Sequence, residues 1–211
     1  MKEIRYRLAK RSDARRIADI HYGIRTQYDA GIFARLGRSF LRQYYRIMLN
    51  DPWEVVVCAE KEGRIIGFSS YTLDAEHQMA TYRRHRLALA LGALPSLLRK
   101  PSLAGHLLQR YRSTAAESDV RFVTARGTRG EYWAWDARYK DPIAAVELDE
   151  IAHRILYALG YDEVFFEVDT LNKSILKYHK LNKARELERL TLPDGRERVL
   201  MKYNLKERYE R

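Results

Sequence analysis

Two residues in the stretch running from Glu163 to Ala184 are of types that can do chemistry and sit at a fixed offset: Asn172 at the start of a helical pattern and Tyr178 further along it. An asparagine at a helix start accepts a hydrogen bond from a first-turn amide and fixes where the helix begins, and a phenol one turn or two later is a proton donor at neutral pH. The same residues have a packing reading, because Leu171, Ile175 and Tyr178 fall on one apolar stripe. His179 points away from Tyr178 by one helical step. A second group lies upstream, where Glu131-Tyr-Trp-Ala-Trp135 reads as a strand followed by Lys140-Asp-Pro-Ile-Ala-Ala145. Glu131 is a carboxylate at a strand start, where such a residue is commonly just exposed, and Asp136 reads as structural. Asp141 is a favourable N-cap and Pro142 a favourable first helical residue, so the helix predicted from about Pro142 to Leu159 brings its own capping carboxylate.

The elements that would position these groups are legible from period and punctuation. Ile4, Tyr6 and Leu8 alternate as a first strand, and Ser12 is placed to cap a helix carrying Ala14, Ile17, Ala18 and Ile20. Ser39 is placed to open a second helix, with Phe40, Leu41, Tyr44, Ile47 and Met48 on one face and a stop at Asn50-Asp-Pro52. Trp53 to Glu60 and Arg64 to Leu73 form a hairpin about Lys61-Glu-Gly63. A strand Val120 to Ala125 is predicted to turn at Gly127-Thr-Arg-Gly130 into the Glu131 strand. Gly160 ends the Pro142 helix before a strand from Val164 to Val168. After the Asn172 helix, Ala184 to Leu192 and Arg198 to Leu205 make a hairpin about Pro193-Asp-Gly195.

With 211 residues, 46% of them hydrophobic, the chain can bury the core of one domain, residues 1–211, with an elaboration. No apolar run approaches the ~18 residues of a membrane span, and the charged Met1-Lys-Glu-Ile-Arg start does not suit a signal peptide, so a cytoplasmic protein is expected. Cys58 is the single cysteine and reads as a buried small hydrophobe within Val55-Val-Val-Cys-Ala59. The six histidines never pair at ligand spacing with each other or with Cys58, so no metal is expected. A net charge of +11 implies an anionic partner, and no motif for sequence-specific nucleic-acid binding accompanies it.

The Asn172 segment resembles the last strand-helix unit of the GNAT acyltransferases, Asn-x-x-Ala-x-x-x-Tyr-x-Lys-Leu-Gly-Phe, with Asn172, Ile175, Tyr178, Lys180 and Leu181 close to that register. Lys61-Glu-Gly-Arg-Ile-Ile-Gly-Phe68 is similar to the family's second hairpin. The resemblance implies a mixed α/β fold, with a mostly antiparallel central sheet flanked by helices and two parallel strands, ending near Trp135 and Val168, that splay apart. It implies acyl transfer from acetyl-CoA or another acyl-CoA to an amine such as an amino sugar or amino acid. Tyr178 would be the acid for the departing thiolate, Glu131 the base, and the amides near Ala134 and Trp135 the donors to the thioester oxygen. Trp133, Ala134 and Trp135 would line the cofactor with Asn172, and Lys140, Asp141, Pro142, Ile143, Ala144 and Ala145 would occupy the pyrophosphate loop.

That loop departs from the family's Arg/Gln-x-x-Gly-x-Gly/Ala. Lys140 supplies the basic residue and Ala145 the last small one, but Ile143 replaces the central glycine, Pro142 has no N–H and Asp141 is anionic. A capping carboxylate there would take the donors a pyrophosphate needs and repel a second anion. A catalytically silent fold serving as a binding or regulatory module is therefore the alternative. A basic helical insertion, about residues 75–116, carries Arg83, Arg84, Arg86, Arg99, Lys100, Arg110 and Arg112 against one acid, Glu76. Its leucines supply apolar faces for two or three helices broken at Pro95 and Pro101. It suits an acceptor lid, a dock for an acidic acyl carrier protein, a surface-binding element, or helices packed on the sheet with their charges solvated.

Overall fold

The computed structural model describes residues 3–26, 32–105, 127–191 and 195–210. In chain order the elements are β1 (Arg5–Leu8), α1 (Ala14–Gly23), α2 (Ile32–Arg35), α3 (Gly37–Met48), β2 (Glu54–Lys61), β3 (Arg64–Thr72), α4 (Ala75–Arg84) and α5 (Arg86–Arg99). They continue with β4 (Arg129–Trp135), α6 (Pro142–Ala158), β5 (Glu163–Asp169), α7 (Lys173–Leu181), β6 (Arg185–Thr191), β7 (Glu197–Asn204) and α8 (Leu205–Tyr209). Among the described residues the strands form one sheet in the order β1-β2-β3-β4-β5-β7-β6. Every neighbouring pair is antiparallel except β4 and β5, which run parallel on either side of the α6 crossover and are paired only at Arg129 and Phe165. Beyond that pair they part, as expected for the strands ending near Trp135 and Val168.

Strand alternation divides the core in two. On β2, Val56 and Cys58 face α1 and α3, while Val55, Val57 and Ala59 face α6. A strand buried on both faces has no polar side to offer, which is why Val55 to Ala59 is an unbroken apolar run. Cys58 is buried there, and desolvation pushes its thiol up to about 12, so it packs as a small hydrophobe. α3 presents Phe40, Leu41, Tyr44, Ile47 and Met48 to the first core, as its period predicts, and adds Tyr45.

Several local expectations are corrected. Ser12 lies inside a short 3-10 turn, Arg11–Asp13, and the carboxylate of Asp13 takes the Lys10 amide at 2.7 Å instead. An ionised carboxylate is the stronger acceptor, and Arg7 holds it in place at 2.6 Å. Ser39 does not open α3, which begins at Gly37. Arg129 and Gly130 already belong to β4 and are not part of a turn. Pro95 sits inside α5 without ending it; the breaks fall at His85 and after Arg99. The last strand stops at Asn204, where a missed N-cap begins α8: Asn204 Oδ1 accepts from the Glu207 amide at 3.0 Å, and Asn204 Nδ2 donates to Glu207 Oε1 at 2.8 Å. The predicted strand Val120 to Ala125, insertion residues 106–116 and turn residues Pro193 and Asp194 lie outside the described residues.

Candidate functional site

The gap between β4 and β5 gathers most of the residues singled out in the sequence. Along β4 the Asp136 amide donates to Ile66 O at 2.7 Å, and the antiparallel register with β3 runs regularly from Trp135 back to Tyr132. Alternation then turns the Ala134 N–H toward β3 and those of Trp133 and Trp135 toward the β5 side. Of the two proposed oxyanion donors, Trp135 therefore faces the gap and Ala134 does not. The Trp135 ring lies flat across β3 at Gly67, where an added Cβ would come within 2.2 Å of it, so glycine is required. Its indole donates to Tyr139 O at 2.7 Å and fixes the strand-to-helix loop.

Trp133 reaches the other way. Its indole donates to Ala145 O at 3.1 Å, and its ring lies 5.4 Å from that of Tyr178 and 6.2 Å from that of His179. One aromatic side chain thus bridges β4, α6 and α7 across the opening. Tyr178 is half-buried, and desolvation, reinforced by Asp149 and opposed by Arg208, pushes its phenol up to about 12, so it holds its proton at neutral pH. His179 turns inward; its Nδ1 lies 2.9 Å from Tyr203 Oη, and burial lowers its pKa to about 4, keeping it neutral. Asn172 caps α7, accepting from the Ile175 amide at 3.4 Å.

At the start of α6, Asp141 caps as expected: its Oδ1 accepts from the Ala144 amide at 3.0 Å, and its carbonyl accepts from the Ala145 amide at 3.1 Å. Pro142 contributes no donor. Lys140 and Ile143 are exposed, and Ile143 shows 81% of its surface. Asp136 is structural, held well below the usual carboxylate range by Arg138 and Arg16, both at 2.6 Å.

Glu131 is not an exposed strand-end carboxylate. β4 is irregular opposite Ser70 and Tyr71, so that Gly130 pairs with Tyr71 and Tyr132 with Ser70, leaving Glu131 as the extra residue of a bulge. Only 10% of its side chain is exposed. Arg129 Nε donates to Glu131 Oε1 at 2.6 Å, a second Arg129 nitrogen donates to Gln78 Oε1 at 2.6 Å, and Gln78 Nε2 donates to Glu54 Oε1 at 2.9 Å. Burial raises the pKa of Glu131 even against Arg129, and burial beside Glu131 pushes Glu54 up to about 9. One positive charge thus faces two carboxylates, of which Glu54 is protonated and neutral at pH 7.

Sequence reasoning missed Glu54, Gln78 and Arg129. It also missed a polar cluster on α6, where Ser69 Oγ and Tyr71 Oη donate to Asp149 Oδ1 and Tyr71 Oη lies 3.2 Å from His153 Nε2. Asp149 and His153 are four residues apart on the inward face of α6, a spacing that could have been read; the first three meet only through tertiary structure.

No protein-family model matches the chain, and no curated protein matches it in sequence. Its fold is similar to that of an N-acetyltransferase from Staphylococcus aureus Mu50, with a TM-score of 0.61 at 14% identity over 97% of this chain and 99% of that one. It is also similar to a GNAT-family acetyltransferase from Bacillus cereus, with a TM-score of 0.54 at 13% identity over 96% and 97%. A third similar structure is the Salmonella typhimurium protein yncA, solved with its cofactor acetyl-CoA, with a TM-score of 0.58 at 10% identity over 96% and 94%.

Proposed function

We propose, for a chain whose fold is that of the GNAT acetyltransferases, that it transfers an acyl group from acyl-CoA, or from an acylated carrier protein, to a small amine such as an amino sugar or amino acid. The observation that carries this reading is the parting of β4 and β5 with a buried carboxylate on one face, Glu131, and a protonated phenol on the other, Tyr178. A gap between two strands opens to both faces of a sheet, so a thioester lodged there can meet both groups. The nitrogen of the neutral amine attacks the thioester carbon and forms the C–N bond as Glu131 takes its proton. The C–S bond breaks, and Tyr178 gives its proton to the leaving thiolate. A carboxylate with a raised pKa is a better base near neutral pH than an ordinary one. The Trp135 amide, on the gap side of β4, is the donor for the oxygen that becomes negative. Chemistry on CoA thioesters suits a cytoplasmic protein.

A second reading, a silent fold serving as a binding module, is favoured by the Asp141 cap, which occupies donors that a pyrophosphate would use. Calorimetry of CoA and acetyl-CoA with the parent, Asp141→Gly and the double variant Asp141→Gly/Pro142→Lys separates the two. Measurable binding in the parent with acyl transfer to amines supports the enzyme. Binding that appears only in the variants supports a site closed by its own cap, and no binding in any of the three points to a carrier-borne donor or a silent fold.

A further inference from the structure

α5 is apolar on both sides, and among the described residues only one side is covered. Its inner side is committed to α3 by close backbone approach: a Cβ on Gly92 would lie 3.2 Å from Phe40 Cα and 3.2 Å from Gln43 Cβ. Gly92 and Ala93 are buried there, so the helix cannot roll its other side inward. That other side carries Leu87, Leu91, Leu94 and Leu98, spaced as one stripe and exposed by 75%, 69%, 45% and 73%. Helices that are apolar all round belong in buried settings, and a stripe of this kind on a monomer marks an interaction surface.

Charge selects the occupant. Arg83, Arg84 and Arg86 stand at one end of the stripe and Arg99 and Lys100 at the other, all exposed, and the sequence has no acidic residue between Glu76 and Glu117. A second copy packed on the same face would set these clusters against each other. An anionic surface satisfies both features at once. The stripe extends about 16 Å along the helix, and long basic side chains at its ends can reach headgroup phosphates while leucines enter the acyl boundary. We propose that the outer face of α5 docks on an anionic phospholipid bilayer, lying in its interface. No helix among the described residues is long and apolar enough to cross a membrane.

The test is flotation of the full chain with phosphatidylcholine vesicles, with and without phosphatidylglycerol, over a range of salt. The chain should float with the anionic vesicles, least at high salt, and not with phosphatidylcholine alone. Leu91→Gln/Leu98→Gln should lower partitioning by at least about tenfold while keeping the parent's thermal midpoint. Arg86→Gln/Arg99→Gln/Lys100→Gln should lower it by at least about tenfold and flatten its salt dependence. Absence of flotation at low salt, or unchanged flotation of the leucine variant, overturns the proposal. So does a dimer in sedimentation velocity that the leucine variant dissociates, since the face would then belong to a second copy. A leucine-dependent complex with an acidic acyl carrier protein without vesicle binding overturns it in favour of that partner. A large loss of thermal midpoint in the leucine variant without vesicle binding overturns it in favour of the chain's own residues 106–126.

Discussion

The two faces of β4 are ordered by opposite means. On the face toward α3 and α4, Glu131, Arg129, Gln78 and Glu54 form a closed run of hydrogen bonds in which every group depends on its neighbour. On the face toward α6 and α7, Trp133, Tyr178 and His179 meet through uncharged rings with a single indole hydrogen bond to α6. Buried charge is severe when one partner is lost, whereas aromatic packing degrades by the area removed. The polar face should therefore break sharply and the aromatic face gradually.

The sharpest break is Arg129→Met. It leaves Glu131 without its cation in a buried site and should cost about 3–5 kcal/mol in denaturant unfolding. Adding Glu131→Gln, which removes the stranded charge, should recover much of that loss. A cost under about 1 kcal/mol for the single variant would mean that the polar face is no more fragile than the aromatic one.

pH tests the same face more gently. The folded pKa of Glu54, about 9, lies above that of an unfolded carboxylate. The native state then binds the extra proton, so stability falls as pH rises from the ordinary carboxylate range to about 9. Glu54→Gln imitates the protonated group and should flatten that decline, stabilising the protein at pH 8 relative to the parent and little at pH 4. Parallel stability–pH curves for the two would remove Glu54 from the account.

On the aromatic face, Tyr178→Phe should slow acyl transfer while changing stability by no more than about 1 kcal/mol, because the ring keeps its contact with Trp133. Unchanged turnover would leave Tyr178 a packing residue. The smallest effect is expected at the helix beside that face: Asp141→Gly should cost a few tenths to about 1 kcal/mol, since glycine is a tolerable cap. The same change should raise affinity for CoA, most at low ionic strength, in calorimetry.

What the sequence disclosed follows the range of the interactions concerned. The hairpin at Glu62-Gly63, the cap at Asp141, the cap at Asn172 and the stripe on α3 are set by residues within a turn or two of each other, and each lies where the local pattern placed it. The parting of β4 and β5 followed from the resemblance rather than from any local signal. Glu131 could be named, but its burial could not, because the bulge that turns it inward exists only in the pairing with β3. Glu54, Gln78 and Arg129 come from three separate elements and carry no shared motif. Pro95 misled for a related reason: α5 survives it because packing on α3 outweighs the local penalty.

The single backbone pairing across β4 and β5 also has a mechanical meaning. Among the described residues β1 through β4 form one ladder and β5, β7 and β6 another, paired across the seam only at Arg129 and Phe165, where the Phe165 amide donates to Thr128 O at 3.1 Å. Widening the gap breaks no backbone rung beyond that pair, so the rest of the resistance lies in side chains: the Trp133 bridge to α6 and α7, and the contacts that tie β3 to α6 at Asp149 and α6 to β7 at His153 and Tyr203. A change of width is thus a matter of side-chain shifts, while both ladders keep their register.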